Sequence, residues 1–485
     1  MIGPNARTAE IMGGGSAQLN PHYRISPWDG LRAALPESVA MDYEMGAENR
    51  RLVRLLQGEV EIDYFDGREF QGAPRHSARQ SEAQFMFFGV ETPGFDPRDY
   101  SARMRGAFRP ETSGEHEFGI VVTGPARLLI DGEVIIDAPV FHPGKEIFNC
   151  ACDELRATKP LEAGREYVLV LEVGTPNENS VLSITYARIG VQRILGREDI
   201  DRAAALAAWS DVALLFVGLN REWDGEGLDR PHMNLPASID ALIESVAAVA
   251  KQTVVVLQSG GPVTMPWLDR VNAVVQAWYP GQELGASVAD VLLGKTDPGG
   301  RLPQTFPRRL EDNPAFLNYP GEHGHVRYGE GLYIGYRYYE KKKIEPLFPF
   351  GFGLSYATFA FSSLRLSQAS FAPGASVDAE IDVRNVSERE GWAVVQFYTA
   401  DETASVSRPH KELKGFAKLW LTAGETKTAR VKLDMRAFAY FDVAVRGWVA
   451  EAGRFEVRVG TSTRDICARA EVTLTERWTE LCEGV

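Results

Sequence analysis

Four carboxylates crowd into one short stretch, Gly218-Leu219-Asn220-Arg221-Glu222-Trp223-Asp224-Gly225-Glu226-Gly227-Leu228-Asp229-Arg230. A carboxyl group held in a loop can give or take a proton at a reacting oxygen, and glycines between carboxylates let backbone come close to a ligand. The stretch follows directly on an apolar, strand-like run, and loops at the carboxyl ends of strands in layered sheets are where ligand-facing residues gather. Residue by residue the chemistry stays open: Glu222, Asp224 and Asp229 read most simply as solvated charges or structural partners, and Glu226 alone divides evenly between such a role and proton transfer. Trp28, Trp223 and Tyr279 offer flat faces for a ring-shaped ligand, although large aromatics near a domain junction are more often core. The Gly13-Gly14-Gly15-Ser16 loop resembles a phosphate cradle only superficially, because the Lys-Ser/Thr ending of a nucleotide loop is absent.

Those residues need a frame, and the hydropathy pattern supplies one in three regimes. Residues 1–57 read as a short strand, a glycine-rich loop, a helix start at Pro27-Trp28-Asp29-Gly30-Leu31 and a second short strand. From 58 to 194 the pattern becomes short alternating strands (104–109, 115–123, 126–130, 133–136, 165–173 and 181–187), with Asp131-Gly132 as a strong hairpin signal. At Ile200 the α/β signal resumes with a helix over 201–209, an apolar run at 212–218, a helix over 238–250, and further runs at 253–258 and 271–278. After Gly351-Phe352-Gly353-Leu354-Ser355-Tyr356 about seven short strands, among them 379–386, 393–398, 427–433 and 453–460, predict a two-sheet sandwich. The expected fold is therefore multidomain: an α/β layered sandwich at 1–57 and 195–355, interrupted by an all-β domain at 58–194 and followed by a β-sandwich at 356–485.

At 485 residues the chain is too long for one core, and 44% hydrophobic with 24% charged residues is a globular balance. A formal charge of -14 and the lack of any Lys/Arg-dense stripe argue against nucleic acid. No apolar run approaches the length of a bilayer span, so no membrane segment is expected. Four cysteines, Cys150, Cys152, Cys467 and Cys482, make no disulfide framework or zinc spacing, which predicts no metal, no cofactor and a cytoplasmic setting. Because Met1-Ile2 makes a poor first strand before its glycine-rich turn, the chain reads as beginning inside a domain, and a lost leader would reverse the cytoplasmic expectation.

The motifs Ile2-Gly3-Pro4-Asn5-Ala6, Gly13-Gly14-Gly15-Ser16, Pro280-Gly281-Gln282-Glu283-Leu284-Gly285, Pro298-Gly299-Gly300-Arg301-Leu302-Pro303, Thr305-Phe306-Pro307 and Pro349-Phe350-Gly351-Phe352-Gly353-Leu354-Ser355-Tyr356 are similar, in order and spacing, to the C-terminal half of glycoside hydrolase family 3 β-glucosidases. Arg408-Pro409, Lys411-Glu412-Leu413 and Gly415-Phe416 resemble that family's fibronectin type III-like domain, and the inserted β block resembles a PA14 domain found in one branch. Essentially the whole chain is covered by the resemblance. Family members of this kind begin with a (β/α)8 barrel that carries the nucleophilic aspartate, and no eight-fold β-α series is present here.

The resemblance implies a retaining, exo-acting β-glucosidase part that acts on terminal β-D-glucosyl residues of a β-glucoside or oligosaccharide. Glu226 matches the acid/base in the branch whose loop reads Glu-Gly-x-Asp-Arg, although Asp224-Gly225 before it departs from some relatives. Asp229 and Arg230 then hold the loop by local pairing. Phe141, Trp223 and Arg230 are the candidate substrate-binding residues; Phe141 belongs to the 137–148 segment of the inserted domain, which lines the outer subsite in that branch. With one carboxylate of the required pair, the polypeptide alone is expected to be close to inactive and to need a family 3 barrel, in trans or in a full-length form. The face that packs on the barrel would drive association with a partner chain or a homo-oligomer. Two alternatives stand beside this one: a non-catalytic glycan- or protein-binding module, and a related specificity such as β-xylosidase.

Overall fold

The computed structural model describes residues 1–70, 72–88 (Phe88 by its backbone), 99–175, 184–227, 229–236 and 238–482. Two compact units emerge: Met1–Gly261 with Met265–Ser287, and Pro262–Thr264 with Val288–Val485. Residues 288–355, placed by motif with the α/β domain, thus group with the C-terminal unit.

In the first unit Ala213–Gly218, Thr253–Gln258 and Ala273–Gln276 form a parallel sheet in chain order. Its first two strands are apolar because both of their faces are largely buried. The expected strand at the start of the chain is one bridging residue: Ile2 forms parallel bridges to Leu215 and to Glu44, its N–H donating to the Leu214 carbonyl at 2.9 Å. Backbone bonds continue from the Gly3 N–H to the Glu44 carbonyl and from the Asn5 N–H to the Phe216 carbonyl, both at 3.1 Å, without building a longer ladder. Pro27–Ala34 is helical, with Ser26 Oγ accepting from the Asp29 N–H at 3.2 Å as N-cap and Pro27 at the first helical position, where its missing N–H costs nothing. Arg197–Trp209 and Ile239–Ala247 are the helices expected over 201–209 and 238–250.

Between these α/β segments stand two antiparallel sheets. One runs in the order His76–Glu82, Gln57–Asp66, Tyr100–Phe108, Tyr167–Gly174, Ala126–Ile130, Glu133–Ala138; the other runs Gln84–Phe88, Ile184–Arg193, Gly114–Val122, Leu155–Leu161. They close on one core that includes Val60, Ile62, Met104, Phe118, Leu128, Leu171 and Ile189. Asp131 (φ 49°) and Gly132 (φ 85°) both adopt positive φ, the type I′ hairpin geometry that the Asp-Gly pair predicted. The strand expected over 181–187 begins within the described residues at Ile184 and runs to Arg193; positions 181–183 lie outside them.

The second unit ends in a β-sandwich. Its sheets are Phe359–Phe361, Val377–Asn385 and Arg365–Leu366 with Thr426–Leu433 pairing on Val377–Asn385, and Ser370–Phe371, Ile466–Leu474, Gly453–Gly460, Gly391–Ala400 and Glu412–Leu421. Val377, Ile381, Phe397, Phe438 and Val457 fill the space between them. No helix among the described residues is long and apolar enough to cross a membrane.

Candidate active site

The carboxylate loop leaves the parallel sheet at Gly218, and buried asparagines fix its start. Asn49 Nδ2 donates to the Gly218 carbonyl (2.9 Å) and to Asn5 Oδ1 (2.7 Å). Asn220 then builds the turn: its Oδ1 accepts from the Glu222 N–H at 2.9 Å, and its carbonyl accepts from the N–H groups of Trp223 (3.0 Å) and Asp224 (3.1 Å).

Two of the four acids are committed to holding this loop. Glu222 Oε2 accepts from the backbone N–H groups of Arg51 (2.9 Å) and Leu52 (3.1 Å), while Arg50 lies 3.6 Å from its other oxygen. Asp224 Oδ2 accepts from Tyr279 Oη at 2.8 Å and from the Gly260 N–H at 2.7 Å, and Arg230 Nε stands 3.5 Å from Oδ1. Gly260 follows the neighbouring strand, so Asp224 pins the loop across the carboxyl edge of the sheet. Burial, reinforced by the charge of Asp224, raises the Tyr279 phenol well above its ordinary value, so it remains a donor. Arg230 thus has an ion-pair partner in Asp224, beyond the adjacent Asp229 that local pairing anticipated. Tyr279 acts here through its hydroxyl.

Glu226 is exposed and lines an open cleft of about 610 Å³ together with Gly13, Ser16, Trp223, Asp229 and Arg230. Its Oε2 accepts from the Ser16 N–H at 2.9 Å, and the Ser16 hydroxyl and backbone together hold its carboxyl below the usual range. The triple glycine has a steric task. A Cβ on Gly14 would lie 2.1 Å from the Arg221 carbonyl oxygen, and one on Gly15 (φ +75°) would lie 2.4 Å from Glu226 Cβ. The Gly14 N–H donates to the Asp224 carbonyl at 2.8 Å, so the glycines form a bed for the carboxylate loop.

Trp223 also lines the cleft, anchored by its indole N–H to the Asn49 carbonyl at 2.7 Å. Phe141 does not join these residues: it is half-buried and packs against the core of the inserted β domain. Phe148, from the same segment, reaches the loop instead, with its ring 3.1 Å from where a Gly227 Cβ would stand, and is 44% exposed. Trp28 is part of a different cluster, with the Arg7 guanidinium 4.4 Å from its ring centre and 4.3 Å from that of Tyr43. Gly260 carried no distinguishing signal in the sequence, since a glycine pair is common loop composition, and Ser16 was visible as part of the Gly13-Gly14-Gly15-Ser16 motif but not as a partner of Glu226. Among the described residues no group of three or more His, Cys, Asp or Glu side chains is placed to hold a metal ion.

An open cleft at the carboxyl edge of a parallel sheet, lined by Trp223 and by an exposed carboxylate held on a backbone N–H, defines an α/β domain built around a carboxylate-bearing loop. The chain belongs to glycosyl hydrolase family 3: residues 1–356 match the glycosyl hydrolase family 3 C-terminal domain, and residues 393–463 match the fibronectin type III-like domain. It is 45% identical over 481 residues to a β-glucosidase of Rhizobium radiobacter, covering 98% of this chain and 59% of that protein. It is 38% identical over 506 residues to a probable β-glucosidase I of Aspergillus terreus, covering 99% of this chain and 60% of that protein. Among solved structures, the β-glucosidase of Kluyveromyces marxianus in complex with glucose superposes with a TM-score of 0.89 at 35% identity, over 99% of this chain and 59% of that one. The chain thus spans about three-fifths of the length of these relatives.

Proposed function

We propose that this chain is the acid/base-bearing part of a retaining β-glucosidase that removes terminal β-D-glucosyl residues, with the nucleophile supplied by a (β/α)8 barrel in trans or in a longer form of the protein. The observation that carries the reading is the division of labour in the loop. Glu222 and Asp224 are committed to backbone and side-chain partners, whereas Glu226 and Asp229 are the exposed acids of the loop that line the cleft, and of these two Glu226 matches the family's acid/base motif. Two carboxyl groups about 5–5.5 Å apart are needed for retention, and the second belongs to the barrel. In this reading Glu226 protonates the glycosidic oxygen as the bond breaks and then takes a proton from the incoming water. Its Ser16 contact favours the ionised form, and because the backbone bond engages Oε2, Oε1 is the oxygen placed to carry the proton in the acid step. The inserted β domain, read as PA14-like, supplies Phe148 as an aromatic wall beside the group next to the scissile bond, and Trp223 and Arg230 form the cleft floor.

Hydrolysis of p-nitrophenyl β-D-glucoside by the chain alone, and after mixing with a separately produced family 3 barrel, tests the reading. Activity only in the mixture, lost on Glu226→Gln, is the expected result. Activity from the chain alone would place a second catalytic carboxylate here and refute the division; silence in both would favour a non-catalytic binding module.

A further inference from the structure

One arginine joins the inserted β domain to the carboxylate loop. Arg51 donates from Nε to the Glu222 carbonyl at 2.8 Å, in addition to the bond from its backbone N–H to Glu222 Oε2. Its two terminal nitrogens face the two oxygens of Glu146, with Nη2 to Oε2 at 2.6 Å and Nη1 paired to Oε1. Glu146 is 8% exposed and opens a turn in which Ile147, Phe148 and Asn149 have φ of 47°, 56° and 62°. Three consecutive non-glycine residues in the left-handed region, one of them β-branched, form a conformation that persists only where the surroundings impose it. The surroundings are visible: the Ala151 N–H donates to the Glu146 carbonyl at 3.0 Å, and Arg51 holds the Glu146 carboxylate. The product of the turn is the Phe148 ring lying over Gly227, one residue from Glu226.

We propose that Arg51 is a positioning residue for aglycone selection: by clamping Glu146 and residue 222 at once, it sets the Phe148 ring at a fixed distance from the acid/base loop, and so determines affinity for a glycosyl or aryl group beside the scissile bond. The proposal rests on the glucosidase reading for its substrate. A planar guanidinium with five donors can serve a carbonyl and both oxygens of a carboxylate together, whereas a lysine ammonium cannot span them. Arg51→Lys is therefore expected to behave like Arg51→Met. Neither group touches the sugar being cleaved, so the effect falls on KM for substrates with an aromatic or sugar aglycone and not on kcat.

The test has two arms. In this chain, a 19F-labelled phenylalanine at position 148 is read by NMR; Arg51→Met and Arg51→Lys should both move its resonance toward the exposed-peptide position. Because Arg51→Met strands the buried Glu146 carboxylate, Arg51→Met/Glu146→Met is read alongside it to separate uncoupling from misfolding. An unchanged 19F signal in folded variants overturns the proposal whatever the activity. In the barrel-complemented protein, Arg51→Met and Phe148→Ala should each raise KM for cellobiose about threefold to tenfold, the worth of one aromatic contact, and in Arg51→Met the KM for methyl β-D-glucoside and both kcat values should stay within about twofold. The double variant should be no worse than either single, since both act through one ring. Equal KM changes for the two substrates, or additive effects, would overturn the selection role. A complemented wild-type protein with no hydrolysis would instead refute the glucosidase reading and the selection role with it, leaving the 19F arm to decide the clamp.

Discussion

Replacing Gly15 with alanine puts the steric reading of the triple glycine to a quantitative test, because a matched control exists in the same unit. Gly15 and Gly164 both have φ of +75°, so alanine at either position incurs the same left-handed penalty of about 1–2 kcal/mol. At Gly164 a Cβ would meet nothing within 4 Å, whereas at Gly15 it would stand 2.4 Å from Glu226 Cβ and 2.9 Å from the Glu226 backbone nitrogen. Ordinary contact begins at 3.4 Å, so the Glu226 segment must retreat by about 1 Å, an overpacking that costs about 1–3 kcal/mol more. A retreat of that size carries Oε2 from 2.9 Å to beyond hydrogen-bond reach of the Ser16 N–H. Two outcomes follow. Urea unfolding should show Gly15→Ala losing about 2–5 kcal/mol against about 1–2 kcal/mol for Gly164→Ala. A 13C titration of Glu226 should show its depressed pKa rising toward the ordinary carboxylate range in Gly15→Ala only. Equal stability losses, or a Glu226 carboxyl that stays depressed in Gly15→Ala, would refute the claim that the glycine bed sets the position of the acid/base loop.

Ser16→Ala, which keeps the backbone donor and removes the hydroxyl, should raise the Glu226 pKa by less than Gly15→Ala does; an unchanged titration would assign the whole depression to the backbone N–H. Tyr279→Phe should cost about 0.5–1.5 kcal/mol by urea unfolding and weaken the tie between the loop and Gly260, and a crystal structure with the loop unmoved would contradict the anchoring role of Asp224. Asp382 in the C-terminal sandwich is held down to about 2, first by the Arg365 side chain and then by Thr428. A depressed carboxyl contributes stability above its unfolded pKa and loses it as pH falls through its folded value, so the stability difference between wild type and Asp382→Asn should be present at pH 6 and vanish between about pH 4 and pH 2. A difference that persists at pH 2 would sink that assignment.

What the sequence exposed and what it hid follow from the range of the interactions concerned. Period-two hydropathy and Asp131-Gly132 are local, so the strands of the inserted domain and the I′ turn were legible; the apolar runs at 212–218 and 253–258 were legible because a buried parallel strand has no polar face to confuse its pattern. Ile2 was legible only as a poor strand, because its pairing depends on Leu215, a separation of more than two hundred residues. The carboxylate loop was visible as composition, but the roles within it were not. Glu222 and Asp224 carry no mark that separates them from Glu226; Arg51 and Leu52, Gly260 and Tyr279, brought in from three distant segments, occupy the carboxylates of the first two. Phe141 and Phe148 differ for the same reason: both are phenylalanines in one loop-rich segment, and the left-handed turn that carries Phe148 outward follows Glu146, whose ion-pair partner Arg51 is remote in the chain. A site of this kind is written in long-range polar contacts, which give Glu222 and Asp224 structural partners and hold Glu226 on the Ser16 N–H. Because Asp229 also lines the cleft, the Gly15 and Arg51 variants test how the loop is positioned, and Glu226→Gln, set against Asp229→Asn, tests which acid transfers the proton.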